Sequence, residues 1–529
     1  MFSKLFKLFR RFIQALFSRF VLTTLFIIAQ IVGIWLAFEF LGEKFWVAHI
    51  VTVIVGVFLV LIIINKDEVA EYKLPWLLAT AVFPALGFVL FVFFGSNQPG
   101  YRMKKRYRAV YARAKEYLSV DHAVAEKLQQ TDGEAYAQAR YLYNAASAAV
   151  YTDTETQYFP MGEDMFPVFL EELKKAKRFI FMEYFIVQEG KFWDSVLDIL
   201  EEKAKAGVEV RFMYDDVGSI GKVRMNYVKK IRARGVQAQV FRSFLPFIST
   251  MHNNRDHRKI TVIDNAVAFT GGLNLADEYI NIDSRFGVWK DNTVMFKGPA
   301  VTAATALFLT LWDVQARKES DYEKYLALPE EYKKEGTHAR EEEGNEQGYV
   351  TFFGDGPRPL YEQQVGKNVY LNILGSATKY VYITSPYLVC DNEILSAIRL
   401  AAQRGVDVRL ITPKIPDKKL IYLVTKANYS PLINAGVKIY EYTPGFIHAK
   451  TFVSDDKFAT VTTINLDYRS LVHHFECGMW MYNTPTVAKV KEDLLNTIAQ
   501  SEEITVKAAK LNPMQLFLRS LVQLLTPLL

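Results

Sequence analysis

The feature that most constrains this chain is an internal repeat, in which both halves carry the same order of short segments. Each half has an apolar strand pattern, a helical stretch and two further strand patterns, with short glycine turns between them. These segments lie at 178–186, 191–207, 208–216 and 234–241 in the first half, and at 379–388, 393–405, 406–414 and 435–442 in the second. Strands alternating with helices predict parallel strands covered by helices. We therefore expect two α/β lobes, each a mainly parallel sheet covered by helices.

Each half then reaches one short motif. A histidine is followed by a lysine two positions later and an aspartate seven positions later: His257, Lys259 and Asp264 in the first half, and His448, Lys450 and Asp455 in the second. Residues i and i+2 of a strand share a face, so each histidine and its lysine point the same way, roughly 7 Å apart at Cα. The aspartate has an odd offset, which predicts a place past the strand end and a structural or orienting role.

A histidine beside a lysine suits phosphoryl transfer. An imidazole acts as a nucleophile or a proton donor according to its protonation state. A lysine supplies positive charge for phosphate oxygens. Two such pairs together predict an electropositive pocket, in which one histidine attacks phosphorus and the other protonates the leaving oxygen without a required metal. Two motifs in register with a repeat argue against a chance match.

A small polar element follows each motif at matching offsets. The residues are Gly271, Gly272 and Asn274 in the first half, and Thr462, Thr463 and Asn465 in the second. Asparagine amides and hydroxyl groups are donors for a phosphate oxygen, and a glycine pair allows close backbone approach. We therefore expect Asn274, Asn465 and Thr463 on the phosphate side of the pocket.

The other histidines near the motifs and both cysteines are expected to have packing or surface roles. His473 and His474 follow the second motif but match nothing in the first half. No carboxylate-rich ligand spacing accompanies the histidines, which disfavours a metal site. Cys390 and Cys477 form no CxxC pair and no disulfide framework, so packed, reduced thiols are expected.

The beginning of the chain predicts a membrane region over residues 20–100. Three apolar segments, at about 20–41, 45–64 and 75–95, approach the ~20 residues that cross a bilayer core. Basic residues flank the region on both sides, and the positive-inside rule places both flanks in the cytoplasm. Two crossings satisfy this rule and three do not. We expect a multi-pass protein of the cell membrane with a hairpin over 45–95, a first segment that does not fully span, and lobes on the cytoplasmic face.

The remaining organisation consists of two amphipathic ends and one charged stretch. Residues 1–19 interleave basic and apolar residues, which fits a helix lying on anionic lipid or a simple orientation signal. Residues 510–529 are amphipathic and dock either on the membrane or on the domain. The charged stretch 316–348 predicts a linker. It separates a first lobe at 101–315 from a second lobe at 349–509.

The doubled motif and its surroundings resemble the phospholipase D superfamily and, within it, the bacterial cardiolipin synthases. The similarity covers about residues 47–529 and includes MEYFI, YDDVGS, NNRDHRKITVIDNAVAFTGGLNLADEY, FGVWKDN, INLDYRS and FEC. The resemblance implies two phospholipase D-like lobes behind an N-terminal transmembrane helical region. The sequence departs from the family pattern at Thr462, where a glycine is usual. The β-branched side chain there bears on the backbone path and on the substrate preference.

The resemblance also implies a reaction that needs no metal or organic cofactor. A histidine displaces glycerol from phosphatidylglycerol, and a second phosphatidylglycerol attacks the phosphatidyl-histidine to release cardiolipin. The family pattern marks the histidine, lysine and aspartate of both motifs as catalytic, and Asn274 and Asn465 as phosphate-side amides. Glu476 stands like the carboxylate that orients a catalytic histidine, and Asp291 resembles its counterpart. Anionic membrane lipid is the implied partner.

The chain positions suggest how the two histidines divide the work. A nearby carboxylate favours the protonated form of an imidazole. Glu476 follows the second motif at a short interval, so we expect it beside His448, which then serves as the acid and later the base. His257 is then the nucleophile. An alternative stays open, in which Asp291 favours the protonated form of His257 as Glu476 does for His448.

Three classes of function remain open at this point. They are a membrane phosphatidyltransferase that makes cardiolipin, a phospholipase D-type hydrolase, nuclease or transphosphatidylase with another acceptor, and a non-catalytic membrane scaffold. The apolar segments and the net charge of only +6 disfavour a nucleic-acid substrate. The two intact motifs argue against a scaffold. Transfer and hydrolysis share a first half-reaction, so the acceptor, the acyl preference and the oligomeric state stay open.

Overall fold

The structure is a computed structural model that describes residues 32, 46–66, 68, 70–95, 100–118, 121–243, 253–327 and 348–526. The predicted amphipathic segment 1–19 lies outside the described residues, as do nearly all of the apolar segment 20–41 and most of the charged stretch 316–348. The last three residues also lie outside them.

Three helices form the described N-terminal region: α1 Trp46–Asn65, α2 Ala70–Val82 and α3 Pro84–Phe94. Helix α1 packs against both others. Pro84 divides the second arm of the predicted hairpin, because proline lacks the N–H of a helix interior and is favoured in a first turn. Within the described ranges, no helix combines the length and the apolar character needed to cross a bilayer.

Lobe I follows and contains a seven-stranded sheet in the order β1-β8-β6-β5-β2-β3-β4. Its strands are β1 Glu155–Phe159, β2 Phe179–Tyr184, β3 Glu209–Asp215, β4 Gln237–Phe241, β5 Ile260–Ile263, β6 Val267–Gly271, the short β7 Val288–Lys290 outside the sheet, and β8 Thr293–Lys297. Its helices are α4 Tyr101–Tyr117, α5 His122–Thr131, α6 Gly133–Ala146, α7 Gly162–Lys175, α8 Lys191–Lys205, α9 Tyr227–Arg232, α10 Val301–Ala316 and α11 Tyr322–Leu326, with a 3₁₀ turn at Asp277–Ile280.

Lobe II contains an eight-stranded sheet in the order β19-β13-β12-β10-β15-β16-β18-β9. Its strands are β9 Tyr349–Asp355, β10 Tyr380–Thr384, β11 Leu388–Val389, β12 Asp407–Pro413, β13 Lys438–Tyr442, β14 Gly445–Ile447, β15 Thr451–Ser454, β16 Phe458–Thr462, β17 Leu466–Asp467, β18 Glu476–Tyr482 and β19 Ser501–Glu503. Its helices are α12 Val365–Ser376, α13 Asn392–Gln403, α14 Lys419–Ala427, α15 Tyr429–Asn434, α16 Pro485–Ala499 and α17 Pro513–Leu525, with a π-helical turn at Arg469–His473.

Both sheets are mixed, so the prediction of mainly parallel sheets is wrong. The pairs β2–β3 and β3–β4 are parallel in lobe I, as are β10–β12 and β12–β13 in lobe II. These pairs come from the repeated strand and helix segments. The other pairs of both sheets are antiparallel. Each motif ends in a hairpin, since both Asp264 and Asn265 have positive φ (56° and 58°), and two such residues reverse the chain between paired strands.

The aspartates of the two motifs attach these hairpins to the neighbouring strand. The carboxylate of Asp264 accepts three backbone N–H bonds from residues 177–179, each 2.7 Å long. Asp455 accepts the equivalent bonds from residues 378–380 at 2.7 to 2.9 Å. Each carboxylate therefore fixes the start of the first parallel strand against the turn that ends the motif.

The start of the stretch predicted as a charged linker belongs to lobe I. Helix α11 buries Tyr322, Tyr325 and Leu326. The hydroxyl of Tyr325 donates to Glu209 at 2.7 Å and accepts from Arg211 at 2.8 Å. These aromatic contacts were hidden in the sequence by the charged residues around them, and they extend lobe I to residue 327.

The two lobes share one hydrophobic core and exchange helices in a reciprocal way. Helix α10 packs on the lobe I sheet and also on β9 of lobe II. Helix α16 packs on the lobe II sheet and also on β1 of lobe I. The C-terminal helix α17 packs on α14 of lobe II and on α2 of the N-terminal region. The lobes are therefore joined over a broad surface.

We expect Asp264→Ala to lower the free energy of unfolding by about 2 to 4 kcal/mol, because three N–H groups at the start of β2 lose a charged acceptor. Asp198→Ala is the control, since the Asp198 side chain is 70% exposed and pairs only with surface groups. It should change the free energy by about 0.5 kcal/mol or less. Chemical denaturation compares them, and equal losses would contradict the assigned role of Asp264.

Candidate active site

The two motif histidines lie in one buried site where the lobes meet. His257 precedes β5 and His448 follows β14. The two residues are only 6% and 8% exposed. Two cross-lobe backbone connections bring them there: β7 of lobe I pairs with β14 of lobe II, and Asp256 forms a bridge with Phe475. The fold therefore brings the two motif histidines into one site, as the doubled motif predicted.

Lobe II supplies the partners of His257. The ring Nδ1 of His257 lies 2.9 Å from the carboxylate of Glu476. Its backbone N–H donates to the carbonyl oxygen of Phe475 at 2.9 Å. Glu476 is fully buried. The ring and the backbone of His257 are thus both oriented by two consecutive residues of the other lobe.

Lobe I supplies the partners of His448 in the same way. The ring Nδ1 of His448 lies 2.6 Å from the carboxylate of Asp291. Its backbone N–H donates to the carbonyl oxygen of Lys290 at 2.7 Å. The ammonium of Lys290 in turn pairs with Asp493 of lobe II at 2.7 Å. Each lobe therefore completes the histidine of the other.

The expectation that Glu476 lies beside His448 is wrong. Glu476 contacts His257 and Asp291 contacts His448. Nearness in the chain was misleading, because each carboxylate follows a segment that pairs across the lobes rather than within its own lobe. The open alternative, Asp291 beside His257, is also wrong for the same reason.

The carboxylates determine which ring nitrogen holds the proton. A neutral imidazole has one N–H and one lone pair, so an Nδ1 that faces a carboxylate carries the proton and Nε2 carries the lone pair. Burial, and then Lys259 and Lys450, hold the pKa of His257 well below its usual value. Burial and Lys450 lower the pKa of His448 to about 4, while Asp291 acts to raise it. Both rings are therefore neutral at pH 7.

The two lysines are buried beside the histidines. The ammonium of Lys259 donates to the backbone carbonyl of His257 at 2.5 Å. Lys450 makes the same contact with the carbonyl of His448. Burial lowers the pKa of Lys259 to about 8 and that of Lys450 to about 7. An anionic group entering the site would favour the charged form of both lysines and of both histidines.

Asp264 and Asp455 lie outside this cluster. Their carboxylates are bonded to the backbone at the far ends of β5 and β15. Burial raises the pKa of Asp455, but its backbone and hydroxyl hydrogen bonds outweigh this and hold it below the usual value. The geometry therefore places both aspartates past the strand ends, as their odd offset predicted, with carboxylates that hold the backbone. The catalytic role that the resemblance implied stays a prediction.

The two asparagines are buried, and each is engaged through one N–H. The amide of Asn274 donates to the hydroxyl of Tyr279 at 2.7 Å, and the Tyr279 ring lies 5.5 Å from that of His448. The amide of Asn465 donates to Asp467 at 3.0 Å. Each amide group has a second N–H for a ligand.

The two halves differ at the position after the hairpin strand. In lobe II the hydroxyl of Thr463 donates to the carboxylate of Glu476. In lobe I the matching residue is Gly272, where a Cβ atom would lie 2.0 Å from a carboxylate oxygen of Asp291. Thr462, which replaces a glycine, bonds through its hydroxyl to Tyr370 at 2.7 Å. Gly272 and Thr463 are therefore fitted to different carboxylates, Asp291 and Glu476.

Several aromatic residues that the sequence analysis missed form the walls of the site. The ring of Phe185 lies 4.9 Å from that of His257, and the ring of Trp289 lies 5.5 Å from that of His448. Trp289 stands two positions before Asp291, and Phe185 follows β2 directly. In the sequence, only their positions next to β2 and to Asp291 indicated that these two aromatic residues lie near the site.

The loop that carries His257 is anchored by a second set of buried charges. Arg255 pairs with Asp215 at 2.8 Å, and the backbone N–H of Asp256 donates to the same carboxylate at 3.0 Å. Arg258 lies 3.8 Å from Glu183 and donates to the carbonyl oxygen of Glu476 at 3.3 Å. Arg255, Asp256 and Arg258 thus fix the position of this loop, while His257 and Lys259 contribute to the site.

Known proteins match the chain over both lobes. A family model described as "Cardiolipin synthase, PLD-like domain" matches residues 169–312 and 370–498. A cardiolipin synthase of Geobacillus sp. is 33% identical over 504 residues, which cover 93% of this chain and 97% of that protein. An uncharacterized protein of Streptococcus mutans is 44% identical over 451 residues, which cover 84% of this chain and 94% of that protein.

A solved structure matches the fold as well. The phosphatidylserine synthase of Haemophilus influenzae superposes with a TM-score of 0.54 at 13% sequence identity. The match covers 74% of this chain and 100% of that one. At this identity the likeness concerns the fold, and it supports the assignment of two lobes of one type.

We expect Gly272→Ala to reduce the rate of catalysis about 100-fold or more, because the new Cβ displaces the Asp291 carboxylate that orients His448. Gly375→Ala is the matched control, since a Cβ at Gly375 meets nothing within 4 Å. Steady-state kinetics on both folded variants test this. An active Gly272→Ala enzyme would show that the position of Asp291 is unimportant.

Proposed function

This chain belongs to the cardiolipin synthase family with phospholipase D-like domains, and we propose that it is a membrane phosphatidyltransferase that makes cardiolipin and glycerol from two molecules of phosphatidylglycerol. The observation that carries this proposal is the pair of histidines, each held by a carboxylate of the other lobe beside a buried lysine. Such a pair has the two groups that a double displacement at phosphorus requires.

In the first half-reaction, His257 attacks the phosphorus of phosphatidylglycerol through Nε2. A nitrogen–phosphorus bond forms while the bond from phosphorus to the glycerol oxygen breaks. Glu476 accepts a hydrogen bond from Nδ1–H and stabilises the positive charge that develops on the ring. His448 donates a proton to the departing glycerol oxygen. The products are free glycerol and a phosphatidyl-histidine.

In the second half-reaction, the roles of proton donor and acceptor are reversed. His448, now neutral, removes the proton from the terminal hydroxyl of a second phosphatidylglycerol. That oxygen attacks phosphorus, the bond to His257 breaks, and cardiolipin leaves with His257 neutral again. Water in place of the second lipid would give phosphatidic acid, which is the outcome of the hydrolase alternative.

The division of roles between the histidines rests on their different surroundings. Burial, and then the charges of Lys259 and Lys450, hold the pKa of His257 well below its usual value, which favours the neutral nucleophile. Asp291 acts on His448 in the opposite direction, which favours its acid form. The predicted assignment is thus kept, with Asp291 replacing Glu476 as its physical basis.

The lysines and asparagines are proposed to hold the phosphodiester. Its negative charge offsets the cost of burying the ammonium groups of Lys259 and Lys450. It also raises the pKa of His448, so that substrate binding itself supplies the protonated acid. The free N–H groups of Asn274 and Asn465 are suited to the remaining phosphate oxygens.

We assay purified protein in vesicles of glycerol-labelled phosphatidylglycerol and expect equal amounts of glycerol and cardiolipin. His257→Ala and His448→Ala should each abolish turnover, whereas His122→Ala, at an exposed helix start, should not. Release of phosphatidic acid alone would favour a hydrolase. Product formed only with another alcohol would favour a transphosphatidylase with a different acceptor.

The same variants separate the roles of the histidines. His448→Ala should still form phosphatidyl-enzyme from a substrate with a better leaving group, because its nucleophile is intact. His257→Ala should form none. Mass spectrometry of quenched protein locates the adduct, and an adduct on His448 would reverse the assignment.

We also propose that the protein is multi-pass in the cell membrane, with its lobes on the cytoplasmic side and residues 20–41 not fully spanning. The support is the outward face of α1, where apolar side chains are half exposed or more: Val51, Ile54, Val57, Phe58, Leu61, Ile62 and Ile64. Met514 and Phe517 of the amphipathic α17 are likewise exposed, at 65% and 60%. The basic segment 102–108 supports the cytoplasmic side.

Cysteine labelling tests this orientation, because both natural cysteines are buried and give little background. Ala112→Cys, on the exposed side of α4, should react with an impermeant maleimide only after the cells are opened. Labelling of Ala112→Cys from outside would overturn the proposed orientation.

A further inference from the structure

His474 is a buried histidine that the mechanism does not use. It is 6% exposed, and within the described part of the chain neither ring nitrogen has a hydrogen-bond partner. Its ring lies 5.3 Å from that of His257. Burying a polar ring without a partner is unfavourable, and such groups commonly mark a site for water, an ion or a ligand.

Three ligand atoms converge at this point. His474, His257 and Glu476 each offer one, and these atoms lie within 4.8 Å of one another. The Nδ1 of His474 lies 3.6 Å from one oxygen of Glu476, and the Nδ1 of His257 lies 2.9 Å from the same carboxylate. Ligands around a tetrahedral ion with bonds of about 2.0 to 2.1 Å lie about 3.3 Å apart, so a small adjustment accommodates one.

We propose that His257, His474 and Glu476 form a site for one divalent cation of the zinc type, and that its occupancy inhibits the enzyme. Two imidazole nitrogens and one carboxylate oxygen suit Zn²⁺ or Co²⁺. Magnesium and calcium prefer oxygen ligands. The nearby charges of Lys259 and Lys450 oppose any cation, so an ion that bonds strongly to nitrogen is the one retained.

The site was invisible in the sequence because its ligands come from both lobes. His257 and Glu476 are 219 positions apart, and no local ligand spacing connects them. His474 belongs to the lobe II segment that pairs with the loop of His257 through the Asp256–Phe475 bridge. The same cross-lobe contact that completes the catalytic histidine thus brings a third ligand beside it.

Inhibition follows from the lone pairs of His257. In the metal-free enzyme the proton is on Nδ1, toward Glu476, and the lone pair for attack is on Nε2. A cation takes the lone pair of Nδ1, and the ring proton then occupies Nε2. No lone pair remains to attack phosphorus, and Glu476 no longer stabilises a developing positive charge. The ion therefore blocks the nucleophile without occupying the phosphate position.

The binding test uses the full-length protein and does not depend on activity. Equilibrium dialysis against Zn²⁺ or Co²⁺ should give one bound ion per chain, and Co²⁺ should show the visible absorption of a tetrahedral nitrogen–oxygen site. His474→Asn should weaken binding by about 100-fold. His473→Asn is the matched control, because it removes an adjacent buried imidazole and should leave binding unchanged. Absence of binding to the folded wild-type protein would overturn the proposal.

The inhibition test rests on the proposed function. Zn²⁺ should inhibit wild-type turnover, a chelator should restore it, and equal Mg²⁺ should have little effect. His474→Asn should require about 100-fold more Zn²⁺ for the same inhibition. Equal sensitivity of both proteins would overturn the proposal, since cations bound to lipid headgroups act on both alike. If His474→Asn fails to fold, His474→Gln and the thermal shift given by Zn²⁺ provide the same comparison.

Discussion

Each motif histidine is held by a carboxylate and a carbonyl oxygen from the other lobe. The rest of the structure keeps the two lobes in the arrangement that these contacts require. His257 is oriented by Phe475 and Glu476, and His448 by Lys290 and Asp291. Neither lobe alone contains an oriented histidine. The shared core and the crossing of α10 and α16 hold the lobes in the one register in which both carboxylates reach their rings. Small rotations between lobes would disturb both histidines at once.

The site is prepared for an anion by burying cations. Lys259 and Lys450 are held against the carbonyl oxygens of their own motifs, and burial weakens their hold on a proton. Burial, and then the charge of these lysines, lowers the pKa of both imidazoles and keeps them neutral. A phosphodiester reverses each of these effects by its own charge. Neutral imidazoles are poorly suited to acid catalysis, so under the proposed function the site acquires its acid together with its substrate.

Much of the fold was predictable because it is local. The repeated strand and helix patterns correctly located β2, β3, β4 and their lobe II equivalents. The histidine of each motif lies where the lobes meet. The pairing of the strands was predicted less well, because the residue pattern of a strand does not indicate which strand lies beside it. The turns at Asp264-Asn265 and Asp455-Asp456 were the overlooked signal for hairpins, since aspartate and asparagine tolerate positive φ. The partner of each histidine was beyond local reasoning, because it depends on pairing between lobes.

The cross-lobe arrangement also has a consequence for the order in which the protein is made. His257 leaves the ribosome with lobe I, but Glu476 follows it by 219 positions. At about 5 to 20 residues per second, this interval lasts roughly 10 to 45 s. During that time His257 of lobe I lacks its carboxylate, and Asp291 waits for His448 of lobe II. Under the proposed function, a nascent chain is thus unable to attack lipids until nearly the whole protein has been synthesised.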